Sequence, residues 1–264
     1  MTKNTAQRLN WRGFGACATM VLLLLGSLAT AQEGLPDGAV VLDRYAEATG
    51  GRVAYDRLTT RVTKGIIELP GQGITFELVT RSAKPNKVSA VLTSEALGTI
   101  QRGTNGVDAW ETSVMAGPRL IEGAELAAVL RDATFDKLIY WRGAFKSAET
   151  RGIQEVEGTR CFQVVLAPNS GQPQTAYFAV DSGLLMKVEA VLETAAGNVP
   201  TQSFSLDYKK VDGILIPFTA EVVALGQKRV YRLSSVEHNV ALPEGSFDPP
   251  EDVAPLLAAR ATTR

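Results

Sequence analysis

Residues Met186–Glu193 read Met-Lys-Val-Glu-Ala-Val-Leu-Glu, and this stretch decides the fold class. Apolar residues at 186, 188, 190 and 192 alternate with mostly charged residues, and Phe204, Leu206 and Tyr208 repeat the pattern further along the chain. A period of two places successive side chains on opposite faces of a strand, so one face is buried and the other faces water. The stretch therefore predicts antiparallel β-structure with one apolar face.

Turn signals on both sides of this stretch divide the chain into strands that are joined as hairpins. Val62–Leu69 and Ile74–Arg81 flank a Gly-Gln-Gly turn. Gly98–Gly103 and Val107–Val114 flank Asn105-Gly106, for which we predict a type I′ turn. Strands joined by turns this short must be antiparallel neighbours.

Helices are predicted before the first strand and again in the middle of the chain. Ala39–Thr49 has apolar residues at helical spacing and ends at Gly50-Gly51, since glycine adopts the left-handed C-cap conformation without strain. A short helix is predicted over Val53–Leu58. Two more, Glu122–Arg131 and Phe135–Trp141, are predicted between the two groups of strands. The resulting order is mainly β (α+β).

The amino terminus predicts a cleaved secretory signal at residues 1–31. Lys3, Arg8 and Arg12 precede an apolar run that ends at Ala29-Thr30-Ala31, a small-x-small cleavage site. The apolar run is too short to span a membrane. We therefore expect a periplasmic protein with one domain over residues 32–245 and a loosely structured C-terminal tail over residues 246–264.

Charge and cysteine content restrict the partners and the source of stability. The chain has 27 basic and 28 acidic residues, and the predicted signal contains only basic ones, so the remainder has a small net negative charge. This balance argues against nucleic acid as a partner, because nucleic-acid binding requires a basic stripe. Cys161 is the only cysteine outside the signal, which excludes an internal disulfide, and its strand-like surroundings predict a half-buried structural thiol.

The sequence lacks known catalytic and metal-binding motifs, so we predict no catalytic residue, no metal site and no cofactor. His238 is the single histidine, and its place at the end of a late strand predicts a surface or edge position. One histidine and one cysteine are too few for a zinc site. Asp207 and Asp212 could form an acid–base pair, but a turn explains Asp212 and the polar side of a strand explains Asp207.

The apolar face of the sheet leaves two interpretations open. A long curved sheet with few helices leaves an apolar concavity, which in a protein without catalytic motifs is most simply a ligand pocket. The same strand pattern fits a sheet that closes on a packed core, because alternation does not distinguish a filled barrel from a hollow one. At this point both interpretations stand.

The order of several short motifs resembles the LolA-like superfamily, the periplasmic lipoprotein-carrier fold, and especially its divergent outer-membrane lipoprotein-sorting members. The matching pieces, in chain order, are Tyr45–Gly51, Pro85, Asn105–Trp110, Glu125–Arg131, Phe178–Leu185, Ala196–Asn198 and Tyr208–Pro217. Together they extend over about Leu42 to Phe218. The resemblance implies an unclosed antiparallel β-barrel with an N-terminal helix and two short lid helices, inserted mid-chain, over an apolar cavity.

The resemblance also implies a function, namely the transport of lipid or lipidated protein with its acyl chains held between sheet and lid. Candidate cavity residues are the large apolar side chains of the strands and lid: Phe76, Leu78, Trp110, Leu126, Leu130, Leu138, Trp141, Phe162, Phe178 and Met186. The expected partners are lipid acyl chains or a lipoprotein, together with a membrane-bound donor or acceptor, and the expected state is a monomer. The alternative is a non-catalytic interaction or envelope-sensing module with a filled barrel.

Overall fold

The computed structural model describes residues 34–194 and 197–262, so the predicted signal lies outside the described residues. From Leu35 onward the described chain forms one compact unit. The helices are α1 (Gly38–Ala48), α2 (Arg52–Asp56), α3 (Gly123–Asp132), α4 (Trp141–Ala144) and α5 (Ala254–Thr262). The strands are β1 (Thr60–Leu69), β2 (Ile74–Ala83), β3 (Lys87–Ser94), β4 (Gly98–Thr104), β5 (Ala109–Ser113), β6 (Arg119–Ile121), β7 (Phe145–Val156), β8 (Thr159–Pro168), β9 (Gln174–Ala179), β10 (Leu185–Thr194), β11 (Gly197–Val211), β12 (Ile214–Ala224) and β13 (Gln227–His238).

These strands form one antiparallel sheet of thirteen strands within the described residues. The strand order is β6-β5-β4-β3-β2-β1-β13-β12-β11-β10-β9-β8-β7, so β6 and β7 are the two edges and the described sheet does not close. Strands β1 and β13 pair at the centre and join the two halves of the chain. This arrangement confirms the predicted mainly β, unclosed antiparallel architecture.

Helix α1 packs on one face of the sheet, which we call the inner face, and the opposite face is the outer face. Val41 and Leu42 of α1 belong to one buried cluster with Val164 and Phe178 of the sheet. The helix begins at Gly38, where an added Cβ would lie 2.6 Å from the backbone carbonyl of Ala148 in β7, so only glycine permits this close approach. Part of the inner face is therefore a packed core.

A second buried cluster fills the inner face at the start of β12. It joins Ala46 of α1 and Tyr55 of α2 to Phe135, Ile139 and the sheet residue Ile214. Apolar side chains packed this closely leave no room for a ligand. This part of the inner face is therefore packed core as well.

The middle of the chain contains one of the two predicted helices and differs from prediction at the other. Helix α3 coincides with the predicted Glu122–Arg131 within a residue at each end. Residues 133–140 form turns instead of a helix, and α4 covers only Trp141–Ala144. Asp136 has φ 51°, and a residue in this left-handed conformation interrupts a right-handed helix.

The β4–β5 hairpin is confirmed, but its loop is not the predicted type I′ turn. The loop has four residues, and Gly106 has φ 97°. The Oδ1 atom of Asn105 accepts hydrogen bonds from the backbone N–H groups of Val107 and Asp108 at 2.9 and 2.8 Å. Asparagine favours such a turn because its side chain replaces a backbone acceptor.

The C-terminal tail, which we expected to be loosely structured, contains α5 and packs against the sheet. Val253 is fully buried, Thr112 of β5 donates a hydrogen bond to Asp252 at 2.7 Å, and Arg260 of α5 contacts the carboxylate of Asp108. These contacts attach the tail to the end of the sheet formed by β5 and β6. None of the described helices is long and apolar enough to cross a membrane.

Candidate ligand-binding groove

Two adjoining pockets lie between α3 and the inner face of the sheet, and together we call them the groove. The larger has a volume of about 390 Å³ over β10–β13, and the smaller has about 280 Å³ over β3 and β4. They share Ala128, Asp132, Leu192 and Glu193. Small-molecule sites usually have volumes of about 300–1,000 Å³, so each pocket is near the lower end of that range.

The floor of the larger pocket consists mainly of aliphatic side chains on neighbouring strands. The ladder registers align Val188 of β10, Ser203 of β11, Val222 of β12 and Arg229 of β13 in one cross-strand row. A parallel row contains Ala190, Thr201 and Ala224. Short side chains on this part of the sheet leave space between floor and helix.

The roof of the groove comes from α3 and the segment that follows it. Ala128, Val129 and Asp132 of α3 face the smaller pocket, and Leu138 faces the larger one. Ala128 is buried at the point where the two pockets meet. A methyl group at this position is too short to reach the floor, so the groove stays open beneath the helix.

Glu125 anchors the amino-terminal end of α3 to the sheet. Its carboxylate accepts hydrogen bonds from Arg119 of β6 at 2.8 and 2.9 Å and from Arg102 of β4 at 3.3 Å. Glu111 of β5 completes the network through contacts of 3.2 and 3.5 Å with the same two arginines. The hydrogen bonds from Arg119 hold the pKa of the Glu125 carboxyl below its ordinary value, although desolvation opposes this shift.

The carboxyl end of α3 is anchored by polar contacts as well. Arg131 donates a hydrogen bond to the backbone carbonyl of Ser170 in the β8–β9 loop at 3.0 Å. Asp132 forms an ion pair with Lys137 at 2.6 Å. The roof is therefore held at both ends by charged side chains.

A depression on the outer face is larger in volume but has a different character. It measures about 480 Å³ and is lined by strand and loop residues, including Thr175, Glu189, Gln202, Val223 and Leu225. No residue of a described helix lines it, so it has no roof. The groove encloses a ligand better because α3 covers it.

The predicted cavity residues are distributed over several parts of the molecule. Leu138 lines the larger pocket. Phe76 and Leu78 lie on the inner face of β2 and pack with Ile67 and Tyr231, and neither Phe76 nor Leu78 lines the groove. Trp141, Phe162 and Phe178 belong to the packed core beneath α1. These three side chains contact protein atoms and do not line the groove.

The remaining predicted residues do not line the groove either. Leu126 and Leu130 are half-buried on a different side of α3 from Ala128, and Leu130 lines a small surface pocket beside α4. Met186 packs on the outer face with Cys161 and Tyr177, because the β9–β10 register shifts between Leu185 and Lys187.

Trp110 is also on the outer face. It pairs with Gly103 of β4, and its ring lies so close that a Cβ on Gly103 would be 3.1 Å from it. Thr112, two residues along the same strand, contacts Asp252 of the C-terminal tail, which places Trp110 on the face that the tail covers. Trp110 therefore does not face the groove.

Sequence reasoning missed the small and polar residues that do line the groove, chiefly Ala128, Ala190, Ser203, Val222 and Arg229. A search for large apolar side chains excludes alanine and serine at the outset. Extending the strand alternation from Tyr231 to Arg229 would have placed both on one face, because residues two apart in a strand share a face.

His238 is not at the surface as predicted, since its side chain is only 1% exposed. Its Nδ1 lies 3.0 Å from a carboxylate oxygen of Asp212, and its Nε2 accepts a hydrogen bond from Arg61 at 3.0 Å. Arg61 also donates to Asp136 at 2.8 Å. This chain of contacts attaches the turn at 136 to β1 and β13, which is a structural role.

Neither the buried cysteine nor the other potential metal ligands among the described residues form a reactive or metal-binding site. Cys161 is fully buried in β8 and unpaired, and burial raises the pKa of its thiol. Across residues 34–194 and 197–262, His, Cys, Asp and Glu side chains form no cluster that could hold a metal ion.

Three solved structures share the fold with this chain. A DUF1329 family protein from Desulfovibrio piger aligns with a TM-score of 0.57 and 15% identity, covering 81% of this chain and 98% of the other. A domain named for outer membrane lipoprotein sorting, from Vibrio parahaemolyticus, gives 0.55 and 12% identity over 80% and 96% of the two chains. A LolA superfamily protein from Nitrosomonas europaea gives 0.54 and 12% identity over 81% and 99%.

Sequence comparison adds nothing to this likeness, since no family model matches the chain and a search of the curated proteins finds no match. The three structures cover nearly their whole length and about four fifths of this chain. At such low identity they establish the fold alone. The chain therefore has a LolA-like fold, as the order of its motifs implied.

Proposed function

We propose that this protein is a periplasmic binding or carrier protein that holds an acyl chain of a lipid or lipidated protein in the groove. The observation that carries the proposal is the space beneath α3, which has an aliphatic floor and charged residues at its rim. Burying acyl chain is worth about 0.8 kcal/mol per methylene group, so a covered apolar groove competes with a membrane for a single chain.

The fold and the amino terminus support this proposal from two directions. One protein that shares the fold is named for outer membrane lipoprotein sorting. The sequence of residues 1–31 predicts secretion, and together these observations favour a role in transport to the outer membrane and its biogenesis. A membrane-bound donor or acceptor would then exchange the cargo with a monomeric, non-catalytic carrier.

The packed clusters beneath α1 favour the second candidate, a periplasmic interaction or envelope-sensing module. In that case the inner face is core in its entirety, and the protein acts through its outer surface. The clusters around Leu42 and Ile214 are consistent with this view. The space between α3 and β10–β13 favours the carrier.

Recovery of bound lipid from the purified protein, followed by mass spectrometry, tests the proposal. We expect acyl-containing material from the wild type. Val222→Trp fills the larger pocket from its floor, whereas Val223→Trp places the same side chain on the outer face, one residue further along β12. The first substitution should remove the lipid and the second should not.

The possible failures point to different conclusions. Lipid that survives Val222→Trp but is lost with Val223→Trp would place the ligand in the outer depression. Protein that is repeatedly free of lipid and does not bind added lipid would contradict the carrier and favour the interaction module. Circular dichroism of both variants verifies that they fold.

A further inference from the structure

The larger pocket of the groove contains hydrogen-bond donors that have no partner in the described chain. They are the guanidinium group of Arg229 and the hydroxyl groups of Tyr231 and Ser203, which all line this pocket. Arg229 and Tyr231 are two residues apart on β13, so they share its inner face. Across residues 34–194 and 197–262, none of the three side chains forms a hydrogen bond or ion pair.

The acidic side chains of the same pocket are already engaged. Asp132 forms its ion pair with Lys137, and the Glu193 carboxylate accepts a hydrogen bond from the backbone N–H of Gln172 at 3.3 Å. The third basic residue of the pocket, Arg131, donates to a backbone carbonyl. Among the described side chains that line this pocket, Arg229 is thus the cation that lacks a partner.

The immediate surroundings of Arg229 on the inner face are apolar. Val222 lies directly opposite on β12, with Ala220 and Ala224 on either side of it. The Arg229 side chain itself is exposed, so water partly screens its charge and its attraction to an anion is that of an exposed ion pair. Arginine also binds carboxylate and phosphate groups through paired N–H donors.

We infer that the groove binds an anionic amphiphile, whose carboxylate or phosphate pairs with Arg229 while its acyl chain lies along the aliphatic floor. This inference rests on the proposed function and specifies the class of ligand. The Tyr231 hydroxyl adds a donor on the same strand, and Ser203 adds a third on β11. A neutral lipid with the same acyl chain offers these donors only uncharged acceptors, which form weaker hydrogen bonds.

The test compares two amphiphiles that share one acyl chain, laurate and 1-monolaurin, by isothermal titration calorimetry below their aggregation concentrations. At about pH 8 the laurate carboxylate is ionised. We expect the wild type to bind laurate about threefold to fivefold more tightly than monolaurin, which is the upper end of what an exposed ion pair contributes. Dodecyl phosphate in place of laurate distinguishes a phosphate headgroup from a carboxylate.

Two variants of adjacent residues provide a matched comparison. Arg229→Gln removes the charge in the groove, and Lys228→Gln removes a charge from the next residue, which pairs with Glu221 on the outer face. The preference for laurate should disappear in Arg229→Gln and persist within about twofold in Lys228→Gln. It should be reduced but not lost in Arg229→Lys, which keeps the charge without the paired donors. Equal effects of the two glutamine variants would overturn the inference.

Other outcomes separate this inference from the proposed function on which it rests. If the wild type binds laurate and monolaurin equally, the groove is an acyl site without charge preference, and only the inference fails. If acetate or inorganic phosphate binds as tightly as laurate, the site is a small-anion site and the acyl chain contributes nothing. If neither amphiphile binds, the carrier function itself fails.

Discussion

Replacing Glu125 by glutamine tests how α3 is held over the groove. The Glu125 carboxylate is only 8% exposed and accepts two hydrogen bonds from Arg119 and one from Arg102. Glutamine has nearly the same shape, but it carries no charge and turns an amide NH₂ group toward one of the two guanidinium groups. The arginines of β4 and β6 then keep only Glu111, with its longer contacts, as a shared anion.

The expected loss of unfolding free energy is about 2 kcal/mol. Breaking a fully buried ion pair costs about 3–5 kcal/mol, whereas an exposed pair contributes about 0–1 kcal/mol. Here the acid is nearly buried, while Arg119 and Arg102 are 34% and 37% exposed, which places the cost between these limits. For a chain of this length the Tm should fall by about 4–8 °C.

Urea denaturation followed by circular dichroism measures this loss, and Glu111→Gln is the matched control. Glu111 contacts the same two arginines, but at 3.2 and 3.5 Å, from β5, and with a side chain that is 27% exposed. We expect the control to lose no more than about 1 kcal/mol. A loss in Glu125→Gln that does not exceed the control's would refute the idea that this carboxylate anchors the helix.

Three further predictions concern stability. The pKa of the Glu125 carboxyl is lowered in the folded state. Its contribution to stability is therefore present above about pH 4.3, the ordinary glutamate pKa, and is lost as the pH falls through the lowered value. Urea midpoints recorded between about pH 7 and pH 3 should decrease less in Glu125→Gln than in the wild type. Gly103→Ala places a Cβ 3.1 Å from the Trp110 ring and should cost about 1–3 kcal/mol, whereas Gly152→Ala in β7, which has open space around it, should cost little. Val253→Ala in the fully buried turn before α5 should cost about 2 kcal/mol in urea denaturation, and no loss would mean that the C-terminal tail does not pack on the sheet.

Local patterns were sufficient to predict the sheet but not which face each strand residue occupies. The alternation in Met186–Glu193 correctly indicates a strand, and Val188 and Ala190 do lie on one face together. Met186 breaks this pattern because the register with β9 shifts between Leu185 and Lys187. Such a shift depends on the neighbouring strand and leaves no local signal in β10.

The positions of Trp110 and His238 depend on residues far away in the sequence. The alternation of residues around Trp110 would be the same whether this face of β5 met α3 or the C-terminal tail. The contact between Thr112 and Asp252, which are 140 positions apart, shows that it meets the tail. His238 becomes buried because Arg61 and Asp212 pack on either side of it. Neither partner could be assigned before the pairing of β1 with β13 was known.

The groove stays open because contacts at its two ends hold helix α3 in place, and side chains that fill the space beneath the helix are not needed. A helix held by apolar side chains would lower its free energy by settling onto the sheet until no space remained. Helix α3 is held instead at one end by Glu125 on the arginines of β4 and β6, and at the other by Arg131 on the β8–β9 loop. Between these anchors the buried residue is Ala128, which gains little from closer approach. Ionic contacts at its ends and a methyl group in the middle hold the helix over the sheet and leave an apolar groove between them.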